Sequence, residues 1–373
     1  MGCDSIDSVR YQIEIAPMKI GIDARLIEET GVGRYIRNLI VQLGILDKKN
    51  TYVVFLRRSG FHQFISPNNR WERRVADIGW HSVSEQFMMP KLFEKERLDL
   101  VHIPYHNPPI FYEEKMVVTI HDLTIVHFDT GRATTLPIPL YKLKRLGYWL
   151  ELTLALRKAR KIITVSNATK QEIMDHFGVG EDKIIVTYEA VDSEIVRLAQ
   201  ESKRPLVSEP YILYVGNAYP HKNLDMLLSA WQGKLVLATP DDYFSKRLNV
   251  GKNVLMFRGA SALQLANLYA FAQALVFPSL MEGFGLPGIE AMAVGIPVVC
   301  SDIPVFREIY GEASLMFDPR DPVDIAAKLR EVLRNENLRR DLIAKGKKQT
   351  AKYSWRRMAE QTLDVYEHIG KNL

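Results

Sequence analysis

Short runs of Val, Ile and Leu recur along the chain, and stretches with helical spacing lie between them. In the first half the runs are Lys19–Asp23, Tyr52–Leu56, Leu100–Ile103, Val117–Ile120, Lys161–Val165 and Ile184–Thr187. In the second half they are Tyr211–Val215, Leu235–Ala238, Val254–Phe257, Ala274–Phe277 and Pro297–Cys300. Their alternation of apolar and polar residues is faint, which suits strands buried on both faces of a parallel sheet. Gly33–Leu43 and Thr169–Phe177 are two of the helical patterns between them. Parallel neighbours are joined by right-handed helical crossovers, so repeated units of this kind predict doubly wound α/β sheets.

A polar stretch separates the two series. Residues 197–210 carry Gln200, Glu201, Ser202, Lys203, Pro205, Ser208 and Pro210, the composition of a hinge. The 373 residues suffice for two domains, each with its own core. The expected division is an extension at 1–17, a Rossmann-like domain at 18–196, the linker at 197–210, a second Rossmann-like domain at 211–355 and a last helix at 356–373. After Asp321 the pattern is helical, with a break at Tyr353-Ser354-Trp355, and the final helix is expected to return to the first domain. Met18-Lys19-Ile20 reads as a second start leading into a strand, so residues 1–17 are expected to be dispensable. Two facing α/β domains imply a ligand in the cleft, beyond the carboxyl ends of their strands.

Composition narrows the function classes. A net charge of +5 is too weak to argue for a nucleic-acid partner. Two cysteines, Cys3 and Cys300, give neither a disulfide framework nor zinc-ligand spacing, and fit a reducing cytoplasm. The most apolar stretch, near Leu263–Phe277, is interrupted by Gln264, Asn267 and Gln273 and is too short to span a bilayer. Asp4, Asp7 and Glu14 argue against a secretory signal at the start. Met1-Gly2-Cys3 has the opening of an acylation signal, but Ile6 stands where Ser or Thr is required.

Residues 278–302, PSLMEGFGLPGIEAMAVGIPVVCSD, carry the most chemistry. Pro278 stops a strand. Gly283 and Gly285 flank Phe284 and allow close backbone approach. Pro287 suits a first helical turn, and the helix ends near Gly295. A glycine loop opening into a helix N-terminus favours an anion, since free N–H groups and the helix dipole point at it. Glu282 and Glu290 frame the loop, and a carboxylate can accept two hydrogen bonds from a vicinal diol. Alternatively, Glu290 merely favours the helix start and Glu282 is solvated.

This stretch resembles the E-x7-E signature of retaining glycosyltransferases of family 4, which have the GT-B fold. The match runs through Glu282-Gly283-Phe284-Gly285-Leu286-Pro287, Glu290-Ala291-Met292-Ala293 and Gly295-Ile296-Pro297-Val298-Val299. The resemblance implies that Glu282 contacts the donor sugar and Glu290 the nucleotide ribose. The backbone of Gly283, Phe284, Gly285 and Leu286 would hold sugar hydroxyls and the diphosphate.

Residues 211–224, YILYVGNAYPHKNL, are similar to the family's Gly-Arg-x-x-x-x-Lys segment, whose cations hold the leaving diphosphate. Lys222 matches the Lys, and Asn223 is expected to cap the next helix. Asn217 stands at the Arg position, so one cation is missing; His221 either substitutes for it or is a solvated loop residue. In KIGIDARLIEETGVGRY the Gly31-Val32-Gly33 turn is similar to the family's N-terminal loop beside the diphosphate, and Arg34 is either a second phosphate cation or a surface residue. The glycine spacing does not fit a nicotinamide G-x-G-x-x-G. His121, after the strand Val117–Ile120, matches the family's histidine beside the donor sugar, and Asp122 reads as a turn cap. His102, His106, Asn107, Trp80, Glu85 and Gln86 are candidates for the acceptor side. Tyr141–Lys161 holds seven cations against Glu151, and is either a peripheral membrane contact or an ordinary amphipathic helix.

The expected activity is that of a retaining, metal-independent hexosyltransferase, with no D-x-D motif and no cofactor. The pattern is most similar to mannosyltransferases of polysaccharide and O-antigen assembly, which makes GDP-mannose the first donor. The acceptor is a glycan or a polyprenyl-diphosphate-linked saccharide, and the expected place is the cytoplasm, peripheral on the inner membrane face. The rivals are a GT-B epimerase or phosphorylase, and a non-catalytic nucleotide-sugar-binding subunit. A phosphorylase would need a pyridoxal-binding lysine motif. A non-catalytic subunit would be expected to have lost Glu282, Lys222 or His121.

Overall fold

The computed structural model describes residues 16–128 and 138–371; the side chains of 125 and 138–144 fall outside the description. Most of the 1–17 extension, the Met1-Gly2-Cys3 start and the side chains of Tyr141, Lys142 and Lys144 therefore lie outside the described residues. The first sheet consists of β1 (Lys19–Asp23), β2 (Thr51–Leu56), β3 (Trp71–Val75), β4 (Leu100–Ile103), β5 (Met116–Ile120), β6 (Lys161–Thr164) and β7 (Ile184–Val186). The second consists of β8 (Ile212–Val215), β9 (Leu235–Thr239), β10 (Val254–Arg258), β11 (Ala274–Phe277), β12 (Val298–Ser301) and β13 (Ser314–Phe317).

All pairings are parallel. The first sheet has the order β3-β2-β1-β4-β5-β6-β7 and the second β10-β9-β8-β11-β12-β13. Ile20 pairs with Tyr52 on one side and Leu100 on the other; Ile212 pairs with Leu235 and Ala274. The central strands β4, β5 and β11 are buried at every residue, as strands covered by helices on both faces must be. In each sheet the winding direction reverses beside its first strand, between β1 and β4 and between β8 and β11. Loops leaving the strands there diverge and open a crevice at the carboxyl edge.

Two edge strands were not foreseen. β3 reads Trp-Glu-Arg-Arg-Val, whose exposed charges protect an open edge, and β13 is four residues at the opposite margin of the second sheet. The 197–210 stretch also differs from expectation. Its first residues belong to the helix Ser193–Glu201, which buries Ile195 and Ala199 and packs on the helix Ala262–Phe271 of the second unit. The final helix, Trp355–Gly370, lies on Gly31–Leu46 of the first unit. There Tyr366 Oη lies 2.5 Å from His102 Nδ1, and Trp355 Nε1 donates to the Val191 carbonyl at 3.1 Å.

Candidate active site

The loops after β8 and β11 meet at the second switch point. Asn223 does not cap its helix through its side chain. It sits at φ 59°, and its amide donates to the carbonyls of Pro278 (3.2 Å) and Pro319 (2.8 Å), tying the β8 loop to the β11 loop. Lys222 is thereby held against Glu282, with Nζ 2.5 Å from Oε1, and Ser279 donates to the same oxygen at 2.7 Å. Both side chains are largely buried, 13% and 11% exposed, so the pair is shielded from bulk water.

The glycines of the β11 loop are required by protein packing. A Cβ on Gly283 would collide with the His121 carbonyl oxygen of the first domain. Gly285 adopts φ +92°, and Tyr310 donates to its carbonyl at 2.6 Å from directly beneath. Phe284 and Leu286 turn into the core, leaving their main chain at the loop. The helix Leu286–Val294 has proline in its first turn and ends on Gly295 at φ 95°. Glu290, buried on this helix, accepts from Tyr269 Oη at 2.9 Å and from the Arg34 guanidinium. Burial pushes its carboxyl above the usual range, while Arg34 pulls the other way.

Arg34 comes from the other domain. Gly31 opens the helix Gly31–Leu46 with free space around its Cα, and Gly33 packs on the main chain of Leu26 and Ile27. This places Arg34 at the cleft, where it pairs with Glu290 and has Nε 3.8 Å from Asp192 Oδ2. His121, at the carboxyl end of β5, is held on both sides. Its Nδ1 lies 3.3 Å from Glu189 Oε1 and its Nε2 3.2 Å from the Pro104 carbonyl, with Tyr35 edge-on to the ring. Asp122 accepts from Thr124 N at 2.8 Å, a turn-capping bond.

Sequence reasoning missed Glu189. It is buried just beyond β7, and its position after a strand end, like that of His121 after β5, was the available signal. Other expectations need correction. His221 is neither solvated nor a replacement cation: burial, with Lys222 adjacent, lowers its pKa to about 4, so it is neutral near pH 7. Among the described residues its Nδ1 is buried without a hydrogen-bond partner. Asn217 folds back on its own turn, where Oδ1 accepts from Tyr219 N at 3.2 Å. His102 is a core residue bonded to Tyr366 and Thr119, with its pKa lowered to about 3 chiefly by burial. Glu85 is fully buried in a network with Arg25 and Asn107 and does not line a surface. Gln86 bridges Glu151 and the Ile110 backbone, and Trp80 lies under the Arg57 guanidinium. Among the described residues, His106 Nε2 and Tyr148 Oη are buried without hydrogen-bond partners.

Residues 197–349 match the family described as glycosyl transferases group 1, and residues 30–195 match glycosyltransferase family 4. O-antigen chain mannosyltransferase B of Escherichia coli is 28% identical over 376 aligned residues, covering 91% of this chain and 96% of its own. O-antigen chain mannosyltransferase RfbU of Salmonella typhimurium is 27% identical, covering 69% and 71%. Among solved structures, sucrose-phosphate synthase from Thermosynechococcus elongatus has TM-score 0.74 at 18% identity, over 95% of this chain and all of that one. WaaG, a glycosyltransferase involved in lipopolysaccharide biosynthesis, has TM-score 0.70 at 15% identity, over 93% and 99%. With the second sheet and all of the first but β1 inside the matched segments, and the same two-domain architecture in its structural neighbours, the chain belongs to the family 4 glycosyltransferases of the GT-B fold, alongside relatives that are O-antigen mannosyltransferases.

Proposed function

We propose that the chain is a retaining, metal-independent hexosyltransferase that moves mannose from GDP-mannose to a glycan or a polyprenyl-diphosphate-linked acceptor. One observation carries this reading. Each carboxylate suited to a diol, Glu282 or Glu290, is ion-paired across the cleft loops with a cation suited to a phosphate, Lys222 or Arg34. A nucleotide sugar offers what both members of each pair need. Its diphosphate takes the cations, and its ribose and hexose hydroxyls donate to the carboxylates.

In this reading Glu290 holds the ribose, and Glu282 and His121 flank the hexose, with Glu189 orienting the imidazole. Lys222 and Arg34 neutralise the diphosphate, helped by main chain of Gly31, Gly33 and Gly283–Leu286. His221 is a neutral hydrogen-bonding group, and Asn217 is a turn residue beside the phosphates. The sugar–phosphate C–O bond breaks with its electron pair going to the phosphate oxygen. The acceptor hydroxyl attacks from the same face and gives its proton to that oxygen. Negative charge on the leaving phosphate grows toward the transition state, where fixed cations act most strongly. His106 Nε2 and Tyr148 Oη, two of the polar atoms buried without a partner among the described residues, are suited to acceptor hydroxyls.

The names of the relatives support mannose as the sugar. The proposed place is the cytoplasm, at the inner membrane face, with contact through Tyr141–Lys161. Among the described residues no helix is long and apolar enough to cross a membrane. The test is turnover over a panel of nucleotide hexoses with and without EDTA, with the product anomer read by NMR. Turnover of GDP-mannose to an α-mannoside in EDTA is expected. An inverted product, a requirement for divalent metal or preference for a UDP-sugar would each overturn the corresponding part.

A further inference from the structure

Polar atoms without a protein partner gather beside the β11 loop. Among the described residues, His106 Nε2, Tyr148 Oη and His221 Nδ1 are buried with no hydrogen bond. They come from the loop after β4, the helix Ile138–Lys158 and the β8 loop of the second domain. The rings of His106 and Tyr148 have centroids 5.6 Å apart, and Tyr105 lies 3.7 Å from His106. The β4 loop is held at the cleft, since the Pro104 carbonyl lies 3.2 Å from His121 Nε2. His221 is 6% exposed, and its carbonyl accepts at 2.8 Å from Leu280 N, in the loop that carries Glu282. A buried polar atom left unpaired costs free energy, so three from separate elements at one place mark a ligand.

Asp122 stands among them. A Cβ on Gly283 would lie 3.3 Å from the Asp122 Cβ, so this carboxylate adjoins the β11 loop. Its charge acts on Tyr105, His106 and Tyr148 from one side and on His221 across the cleft. Asp122 is only half-buried, and the turn at Thr124 takes up part of the four lone-pair sites that a carboxylate offers.

Charge says which ligand fits. Burial raises the Asp122 carboxyl, but the Thr124 N–H and hydroxyl, with His106 and His221, outweigh it and hold it below its ordinary value, so it is ionised near pH 7. Burial, with His81 nearby, lowers His106 to about 3; burial, with Lys222 adjacent, lowers His221 to about 4. Both imidazoles are then neutral, and burial keeps the proton on Tyr148. Lys222 is paired with Glu282, and Glu29, whose charge reaches Tyr105, is another acid. An anion meets repulsion here, whereas a polyol finds a carboxylate for its diol, neutral donors and acceptors, and aromatic surface for the apolar face of its ring.

We propose that Asp122, with His106, Tyr148 and His221, binds the saccharide end of the acceptor, and that this end is a neutral sugar. A unit negative charge about 5 Å from Asp122 would bind about 10²-fold more weakly, by Coulomb repulsion at an effective dielectric constant of about 20. The phosphate of a carrier-linked acceptor therefore lies outside this subsite, and the enzyme extends a sugar rather than loading a bare carrier phosphate. The inference rests on the acceptor side proposed above and deepens it by naming the class of acceptor.

The test is saturation-transfer NMR on the full chain with GDP present, at pH 8, above the ordinary imidazole range. The neutral probes are mannobiose and N-acetylglucosamine; the anionic ones are mannose 6-phosphate, glucuronic acid and farnesyl phosphate. Binding of a neutral probe, and of no anion at the same concentration, is expected. Asp122→Asn keeps an oxygen for Thr124 N and removes the charge; it should weaken the neutral probe and narrow the preference over anions, each about tenfold. Tyr148→Phe deletes a hydroxyl that has no partner among the described residues. It should melt no lower than wild type, weaken the neutral probe about 3–10-fold and leave the preference over anions unchanged. No binding of a neutral probe, an anion bound as tightly, or wild-type behaviour in either variant would overturn the proposal. Turnover of GDP-mannose is followed on the same preparations. Neutral probes that bind without turnover count against sugar transfer and leave the subsite standing; turnover onto glucuronic acid or farnesyl phosphate does the reverse.

Discussion

Lys222 and Glu282 differ in what their removal does. In the proposed reaction, Lys222→Ala takes away a cation whose partner gains negative charge as the donor bond breaks. Turnover should fall by about 10²–10³, more than donor affinity does, as for loss of an oxyanion donor. Glu282→Gln keeps an acceptor beside Lys222 and Ser279; it should lower turnover while leaving free nucleoside diphosphate affinity nearly unchanged. Glu290→Gln should instead weaken nucleoside diphosphate binding by about 1.5–3 kcal/mol, the worth of hydrogen bonds to a charged group. Steady-state transfer and nucleotide titration separate the three. Near wild-type turnover in Lys222→Ala would remove the phosphate role, and unchanged nucleotide affinity in Glu290→Gln would remove the ribose role. Thermal melts are needed for each, because Glu290 also satisfies buried Tyr269 and Arg34.

At the scale of elements, Glu151 joins the helices Ile138–Lys158 and Val83–Lys95 through Gln86. Burial, with Glu85 nearby, raises its pKa to about 7. The native state thus keeps a proton that the unfolded chain releases above about pH 4.5. Stability from this group is full below that value and is lost as pH rises toward 7. Glu151→Gln keeps the acceptor for Gln86 and cannot ionise. It should melt higher than wild type at pH 8, by about 1 kcal/mol after allowance for partial solvation, and show no gain at pH 4.5. Equal gains at both pH values would show that ionisation is not the cause. The same scale shows what was readable in the sequence. Inner strands such as β5 and β11 announce themselves because both faces are buried and every residue but Thr119 is apolar. β3 does not, because an edge strand guards itself with the charges that make it read as loop. Ser193–Glu201 reads in part as linker because only two buried residues, Ile195 and Ala199, carry its packing. In the candidate site, the sequence singles out one by one residues that the structure places around the cleft: Lys222, Glu282, Glu290 and His121. Their partners are not singled out. Arg34 and Glu290 are 256 positions apart, and nothing local in either segment points to the other.

Across the whole molecule, the two domains touch by packing of the helix Ser193–Glu201 on Ala262–Phe271 and, around the cleft, at contacts of one or a few residues each. Gly283 meets the His121 carbonyl, Arg34 meets Glu290, and a third contact stands away from the donor loops. Glu308, on the helix Pro304–Ile309 of the second domain, accepts from the backbone N–H groups of Asn167 (2.7 Å) and Ala168 (2.8 Å), which begin the helix Asn167–Phe177 of the first. Asn167 Nδ2 and Tyr188 Oη donate to it as well, each at 3.0 Å. One carboxylate therefore caps a helix across the domain boundary, where unpaired N–H groups and the helix dipole favour negative charge. Such contacts hold the cleft closed only by the difference between the closed and open arrangements, so losing one shifts that equilibrium. Glu308→Ala removes about 1–2 kcal/mol, which moves the closed-to-open ratio by roughly 5–30-fold. Because the donor needs groups from both domains, apparent donor affinity falls with the closed fraction. Donor KM should rise and the radius of gyration from small-angle scattering should increase, while Glu308→Gln, which keeps two hydrogen-bond acceptors' worth of oxygen lone pairs but no charge, should lie between Ala and wild type. Saturating nucleoside diphosphate should restore the compact radius in the Ala variant. A variant as compact as wild type, with unchanged KM, would mean that Glu308 merely caps the Asn167–Phe177 helix and that closure is set by Arg34 and the Gly283 loop instead.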